Sequence, residues 1–504
     1  MAMRKHADPP GAAAGPAGNG QPRQRVSPGI RSVIRNTAYL LSGQGVQVGV
    51  RFLYAIILAR VLGPHDYGLI GYGTSLYIAV LPLTKVGIEH VLIRVIGRDR
   101  SRGREMLQSA LPLRKLTALF STIVFALAVL VMEDDPQTRT ILACFSIALL
   151  GRSFAQWNMS MFTAYETNRY SFRLQAIFRP LEVALGLLAL AVWRNPLAIV
   201  LVHAATWWLE VVFGTWLLRT RFDIPQGRWN AADLKPILAE SIPMCLAVTL
   251  VSVMSQGPLL VFKYLGGLGI AVGNLALAMQ VFLILSQVSI AFSTASYPAL
   301  SRAIARGDGK EKVFVESMMR FVIFFGGMLA LAGTALGPDL VPFVFGNKYA
   351  EAGSLLGTTL WMMIPWTAMN CLMRVQTARR KVHSNLAILA CGVLFFAVAA
   401  GPAVSVFGVQ GSVLAAFAGM SVIAGALFIA VSRDGEMDAG IAVIRPLGVL
   451  ILARAALHFL APAGPWASFF VAWAILVAAW FAVGCISRQE IAMLMDVWRG
   501  RKNR

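Results

Sequence analysis

Apolar runs too long for a soluble core recur along almost the whole chain, separated by short polar breaks. The clearest two lie in residues 36–94, joined by Ala59-Arg60-Val61-Leu62-Gly63-Pro64-His65-Asp66-Tyr67-Gly68. Each flank is long enough for a membrane-crossing helix, which takes about 20 apolar residues. Gly63 can adopt the left-handed conformation that ends a helix, and Pro64 cannot continue one. Asp66, just ahead of the second run, is expected to cap free N–H groups.

The same hydropathy predicts about 14 membrane spans. After the opening pair they fall near 110–132, 138–164, 172–193, 197–218, 238–265, 271–297, 314–336, 354–374, 385–400, 408–431, 441–460 and 466–486. Gly401-Pro402 interrupts the eleventh. The fold class is therefore an all-α polytopic membrane protein. A transmembrane barrel would show short alternating segments instead.

An internal repeat organises these spans. "ARVLGPHDYGLIGYGTSL" at Ala59 lies over "FKYLGGLGIAVGNLAL" at Phe262, so that Arg60 falls on Lys263 and Gly63 on Gly266. Each copy opens a block of about six helices running in the same sense, the arrangement that builds two lobes with a substrate site between them. The expected units are a disordered tail at 1–35, an N-terminal six-helix lobe at 36–220 and a C-terminal one at 221–432. Two additional transmembrane helices at 433–487 and a basic tail at 488–504 follow. The last tail, "SRQEIAMLMDVWRGRKNR", has the pattern of an amphipathic helix lying on a membrane surface.

Charge sets the orientation. The 504 residues carry a net charge of +21, yet only 14% are charged, against about 25% in soluble proteins. Of the 45 Lys and Arg, about 35 fall in alternate loops and the tails, as cytoplasmic loops do. Both termini are then cytoplasmic. Attraction to anionic lipid accounts for the charge better than nucleic acid does. The opposite loops, such as "MEDDPQTR" and "GPDLVPFVFGNKYAEAG", are too short for a folded domain, and "EDDP" at Glu133 reads as solvated charge. The five cysteines all lie in apolar runs without a CxxC pair, so neither a disulfide framework nor a zinc site is expected. No ATP-binding loop, HExxH or GxSxG is present. No catalytic residue, metal or cofactor is expected.

The ionisable residues inside the spans carry the functional signal, because charge at that depth is costly. Arg51, Lys85 and Arg152 are candidate substrate-binding residues: a guanidinium fork and a compact ammonium both suit a diphosphate. Each has a bland competitor. Arg51 has helical carboxylates to pair with, and Lys85 has Glu89 at i+4. Arg60 and Lys263, at helix ends, suit snorkelling, and Arg94 an interfacial anchor. Glu89 and Glu240 are candidates for ion coupling. Glu182, following Arg179-Pro180, reads as close to a boundary, and Asp339 as a loop residue. His203 reads as a hydrogen-bonded structural histidine.

"LARVLGPHDYGLIGY" after a helix containing Arg51, followed by "VGIEHVLIR", resembles the opening of the oligosaccharide flippases. These are Wzx-type polysaccharide exporters of the multidrug/oligosaccharidyl-lipid/polysaccharide superfamily. The match covers roughly the first fifth of the chain. It implies a polyprenyl-diphosphate-linked oligosaccharide moved across a bacterial inner membrane for O-antigen, capsule or exopolysaccharide synthesis, with a polymerase and glycosyltransferases as partners. It also implies that the two extra helices have a role. A multidrug or small-solute antiporter of the same superfamily is the alternative. A membrane-embedded glycosyltransferase or polymerase is a third, and lacks the catalytic loop it would need.

Overall fold

The computed structural model describes residues 28–222, 225, 227–229, 231–306, 310–379, 381–433 and 438–485. The expected C-terminal amphipathic helix and most of the N-terminal tail lie outside them. The first helix begins at Pro28, inside the stretch expected to be tail.

Among the described residues fifteen α-helices follow one another and there is no strand. The first six are α1 (Pro28–Lys85), α2 (Ile88–Arg98), α3 (Arg100–Met132), α4 (Pro136–Ala164), α5 (Arg169–Trp193) and α6 (Pro196–Arg221). Next come α7 (Ala231–Gly266), α8 (Ile270–Arg306), α9 (Lys310–Phe345), α10 (Ala350–Thr359) and α11 (Met363–Ala378). The chain ends in α12 (Val382–Phe407), α13 (Val409–Ser432), α14 (Arg445–Phe459) and α15 (Pro465–Ala482).

Among the described residues twelve helices are long and apolar enough to cross a membrane. One of them contains Gly63 at φ 78° and ψ 175°, non-helical angles that reverse the chain, so it makes two crossings. Another crossing is split into α10 and α11 by a tight turn at Leu360–Met362. This brings the crossings to about 14, as the hydropathy predicts. Helix starts are explicit in the sequence. Asp135 accepts from Thr138 N–H at 2.7 Å ahead of Pro136, and Asn195 from Leu197 N–H at 2.9 Å ahead of Pro196. A side-chain cap followed by Pro at the first helical position presets the backbone for a helix.

Three local expectations are corrected. The Asp66 carboxylate pairs with the His65 ring at 3.1 Å, and no capping bond from it is seen. Gly401-Pro402 does not end the eleventh span: α12 continues to Phe407, on a side where Pro402 is exposed. The stretch 337–353 is mostly helix, because α9 runs through Pro338 and Pro342 to Phe345, which makes Asp339 a helical residue.

α1 to α6 pack together, α7 to α13 form a second bundle, and α14 and α15 lie against α9. Leu450 contacts Gly327, and Trp480 meets Phe324 edge-on at 5.0 Å. The connections alternate between two ends. One end carries Gly63, and the other carries the Arg- and Lys-rich connections. At the Gly63 end the two bundles meet through α1, α7, α8 and α9. Near the basic end the second crossing breaks at Val86 and Gly87, with φ of 50° and 70°, and restarts as α2. A Cβ on Gly87 would lie 2.6 Å from the Ser241 carbonyl of α7, so the break is also a point of close approach.

Candidate functional site: a buried polar chain in the first bundle

Inside the first bundle α1, α4, α5 and α6 bring together six charged or polar side chains. By helical rise they lie about 10 to 24 Å from the Gly63 end of their helices, deep in the apolar zone. Arg179 of α5 bridges two carboxylates, Glu182 one turn on and Glu210 of α6. Glu182 in turn faces His203 Nδ1 at 2.5 Å. His203 Nε2 lies 3.1 Å from the Tyr77 hydroxyl, and that hydroxyl accepts from Arg152 at 2.6 Å. The result is a continuous chain from Glu210 through Arg179, Glu182, His203 and Tyr77 to Arg152.

Trp207 organises this chain. Its Nε1–H donates to His203 Nε2 at 3.2 Å. An indole can only donate, so Nε2 carries no proton and Nδ1–H points at Glu182. His203 is the neutral Nδ1–H tautomer. The Arg179 and Arg152 guanidiniums lie 3.9 Å and 5.4 Å from the Trp207 ring, within cation–π range.

Arg51 enters from α1. It is partly exposed, and it feels the charges of Arg152, Glu182 and Arg179. Among the described residues it has no hydrogen-bond or ion-pair partner. Three arginines thus face two carboxylates, and one positive charge is left over. The surplus is carried by the side chain that nothing else holds.

Lys85 belongs to a neighbouring cluster. It lies 3.5 Å from Glu89 across the break in the second crossing. Glu89 is also 3.7 Å from Arg114 and accepts from Ser160 at 3.2 Å. Arg114 of α3 is almost fully buried, and it donates to the carbonyls of Thr84 and Ser153 at 2.8 Å each. The Thr84 carbonyl is one that the helix break sets free; Ser153 lies in mid-helix on α4. Thr84 and Ser153 share a 2.7 Å hydrogen bond, which places the two clusters side by side.

The structure therefore brings Arg51 and Arg152 together, and sets Lys85 and Glu89 in an adjoining cluster. Glu240 is elsewhere: it forms an exposed ion pair with Arg94, joining α7 to α2 near the basic end. Glu182 is not near a boundary but buried in mid-helix. Lys263 does not snorkel, and Arg60, though exposed at its helix end, is held by the second bundle. Arg60 donates to the Val344 and Phe343 carbonyls at 2.7 Å each, and Lys263 is buried against Glu133 at 2.5 Å. Glu133 is accordingly not a solvated charge. Arg114 and Arg179 are buried cations of these clusters that sequence reasoning missed. Counting depth from the true helix starts at Arg100 and Arg169 finds both.

This is the fold of a multi-pass membrane protein of the MATE-like kind, two helical bundles packed around a shared interface. The sequence profile of the family described as "Polysaccharide biosynthesis protein" matches residues 33–304, and the chain belongs to that family. No curated protein matches it. Among solved structures it is similar to an inward-facing multidrug resistance MATE family transporter of the MOP superfamily. That likeness has a TM-score of 0.65 and 12% identity, over 78% of this chain and 97% of the other. It is also similar to the lipid II flippase MurJ in an inward closed conformation, with a TM-score of 0.58 and 11% identity, over 88% and 100%. A MOP superfamily transporter from Pyrococcus furiosus, whose description speaks of reverse polarity of its binding pocket, gives 0.56 and 14%, over 80% and 95%.

Proposed function

We propose that this protein is a flippase for polyprenyl-diphosphate-linked oligosaccharide. It moves the headgroup from the cytoplasmic to the periplasmic leaflet of a bacterial inner membrane, for polysaccharide biosynthesis. The carrying observation is Arg51: a cation without a partner, in a buried cluster with one positive charge in excess. A diphosphate supplies the missing negative charge, and a guanidinium fork matches its oxygens. Arg152 stands beside it, and Lys85 one cluster away. The family assignment supports a polysaccharide pathway, and the likeness to a lipid II flippase supports a fold able to handle a lipid-linked substrate. The basic end faces the cytoplasm, with both termini. The likeness to a multidrug transporter keeps a small-solute antiporter as the second reading. Surplus positive charge opposes a cationic drug, so that reading needs an anionic solute.

The test uses the purified chain in proteoliposomes, with a polyprenyl-diphosphate-linked oligosaccharide whose sugar is read by an impermeant lectin. The parent protein exposes the sugar, Arg51→Ala slows exposure at least tenfold, and Arg51→Lys recovers part of the rate. Equal rates in parent and Arg51→Ala vesicles would overturn the reading.

A further inference from the structure

At the Gly63 end the two bundles are tied together twice, and the ties are related by the internal repeat. Arg60 lies just before the Gly63 turn of α1, and Lys263 just before the turn that ends α7 at Gly266. These are the two residues that the repeat superposes. Each leaves its own bundle, and each lands at the C-terminal end of the third long helix of the other one. Arg60 reaches the last turn of α9, and Lys263 reaches Glu133, the residue that caps α3.

The chemistry at the two landing points differs. The last carbonyls of a helix have no partner within it and carry the negative end of the helix dipole. The Arg60 fork takes two successive ones, Phe343 and Val344, before Gly346 at φ 101° turns the chain away. Tyr349, in that turn, donates back to the Ala59 carbonyl at 3.1 Å. At the other point the carboxylate of Glu133 is the acceptor. It takes Lys263 and also the Tyr72 hydroxyl at 2.5 Å, while the Lys263 ammonium lies 4.7 Å and 4.6 Å from the rings of Tyr72 and Tyr264. Between the two ties Gly68 meets Gly273, and a Cβ on either would clash with the opposite backbone.

We propose that Arg60 and Lys263 are reciprocal latches that hold the two bundles shut at the Gly63 end, and that both must release before the bundles can part there. The inference rests on the two-bundle transporter reading, and not on the identity of the substrate. A cation inserted across an interface into a helix end or a buried acid holds one arrangement only: once the bundles separate, both groups lose their partners. The latches are unequal. The carbonyl acceptors of Arg60 cannot be protonated, whereas the Lys263 latch depends on the charge of Glu133.

The test is a distance measurement between nitroxide spin labels on the full-length chain in liposomes. Cys144, Cys245, Cys371, Cys391 and Cys485 are first replaced by Ala, and labels are put on His65→Cys in the first bundle and Leu340→Cys in the second. The parent should give one short distance. Arg60→Ala and Lys263→Ala should each raise the ratio of a longer distance to the short one about tenfold, and the double variant further. Glu133→Gln should match Lys263→Ala. Should either alanine variant fail to fold, the exchange Glu133→Lys with Lys263→Glu decides: return of the short distance supports the latch, and its absence overturns it. A folded double variant with the parent's distance distribution also overturns the proposal. Distances are read without substrate, so a failed flipping assay leaves this result standing.

Discussion

The indole Nε1–H of Trp207 donates to Nε2 of His203, one turn earlier on α6, at 3.2 Å. This bond determines how charge is distributed in the first bundle. It keeps the Nε2 lone pair engaged, so the ring turns its Nδ1–H to Glu182 and contributes no charge of its own. The cluster then consists of three arginines and two glutamates. Had His203 been the cationic partner of Glu182, two positive charges would be in surplus in the apolar zone, at far greater desolvation cost. The aromatic face of Trp207 also carries Arg152 and Arg179, which leaves Arg51 as the cation of the cluster without a partner among the described residues.

Arg179 is the structural centre of that cluster. Arg179→Ala leaves Glu182 and Glu210 facing each other without a bridge. Removal of one partner from a buried ion pair costs about 3–5 kcal/mol. The expected outcome is a large fall in the thermal unfolding midpoint in detergent, measured by fluorescence-detected gel filtration. Arg179→Lys should recover only part of it, because one ammonium cannot span two carboxylates as a planar fork does.

Arg51 predicts the opposite split between stability and transport. Among the described residues it has no bond to lose, so Arg51→Ala should not lower the unfolding midpoint as Arg179→Ala does. Arg51→Glu changes the cluster from one positive charge in excess to one negative. It should bind a soluble diphosphate more weakly than Arg51→Ala does, by calorimetric titration, with Arg51→Lys nearest the parent. Unchanged affinity across the series would remove the anion site.

The break in the second crossing gives a third prediction. Gly87 combines φ 70° with the Ser241 carbonyl 2.6 Å from a would-be Cβ. Gly87→Ala should destabilise by about 1–3 kcal/mol, the cost of strain at a sparsely populated backbone angle. Arg114→Ala should cost at least as much, since it strips donors from the Thr84 and Ser153 carbonyls. By contrast, Lys85→Ala removes a partly exposed partner from Glu89, which keeps Ser160 and Arg114 beside it, so it should cost less than either. The unfolding midpoint should be lowest in Arg114→Ala, next in Gly87→Ala and nearest the parent in Lys85→Ala.

The ease with which these features can be read from sequence follows their range along the chain. The Gly63-Pro64 reversal is local, and hydropathy alone finds it. Arg51 and Arg152 announce themselves because each is a lone cation in a long apolar run. Arg114 and Arg179 escape because hydropathy starts the spans at 110 and 172, four and seven residues before them, whereas the helices start at Arg100 and Arg169. Glu182 reads as close to a boundary because Arg179-Pro180 precedes it, yet α5 runs straight through that proline. The contacts of Arg60 with Val344 and of Lys263 with Glu133 join residues 284 and 130 positions apart, and no periodicity reports them. Their symmetry was nonetheless present in the alignment of Arg60 with Lys263, once that pair is read as a relation between bundles and not as two snorkelling side chains.

Glu89 and Glu240, alike as candidates for ion coupling, now separate. A coupling carboxylate must exchange a cation as the protein changes state, and so must hold one in a site shielded from bulk water. Glu240 is half exposed and paired with Arg94 on the surface. Such pairs contribute about 0–1 kcal/mol and weaken with salt. Glu89 is buried, holds Lys85 and lies near Arg114 at the helix break. Flipping driven by an imposed pH or sodium gradient should therefore be unaffected by Glu240→Gln, within about twofold, and should lose its gradient dependence in Glu89→Gln. The converse pattern, a gradient response lost with Glu240→Gln and kept with Glu89→Gln, would move ion coupling to the joint between α2 and α7 and leave Glu89 as a partner for Lys85 and Arg114 alone.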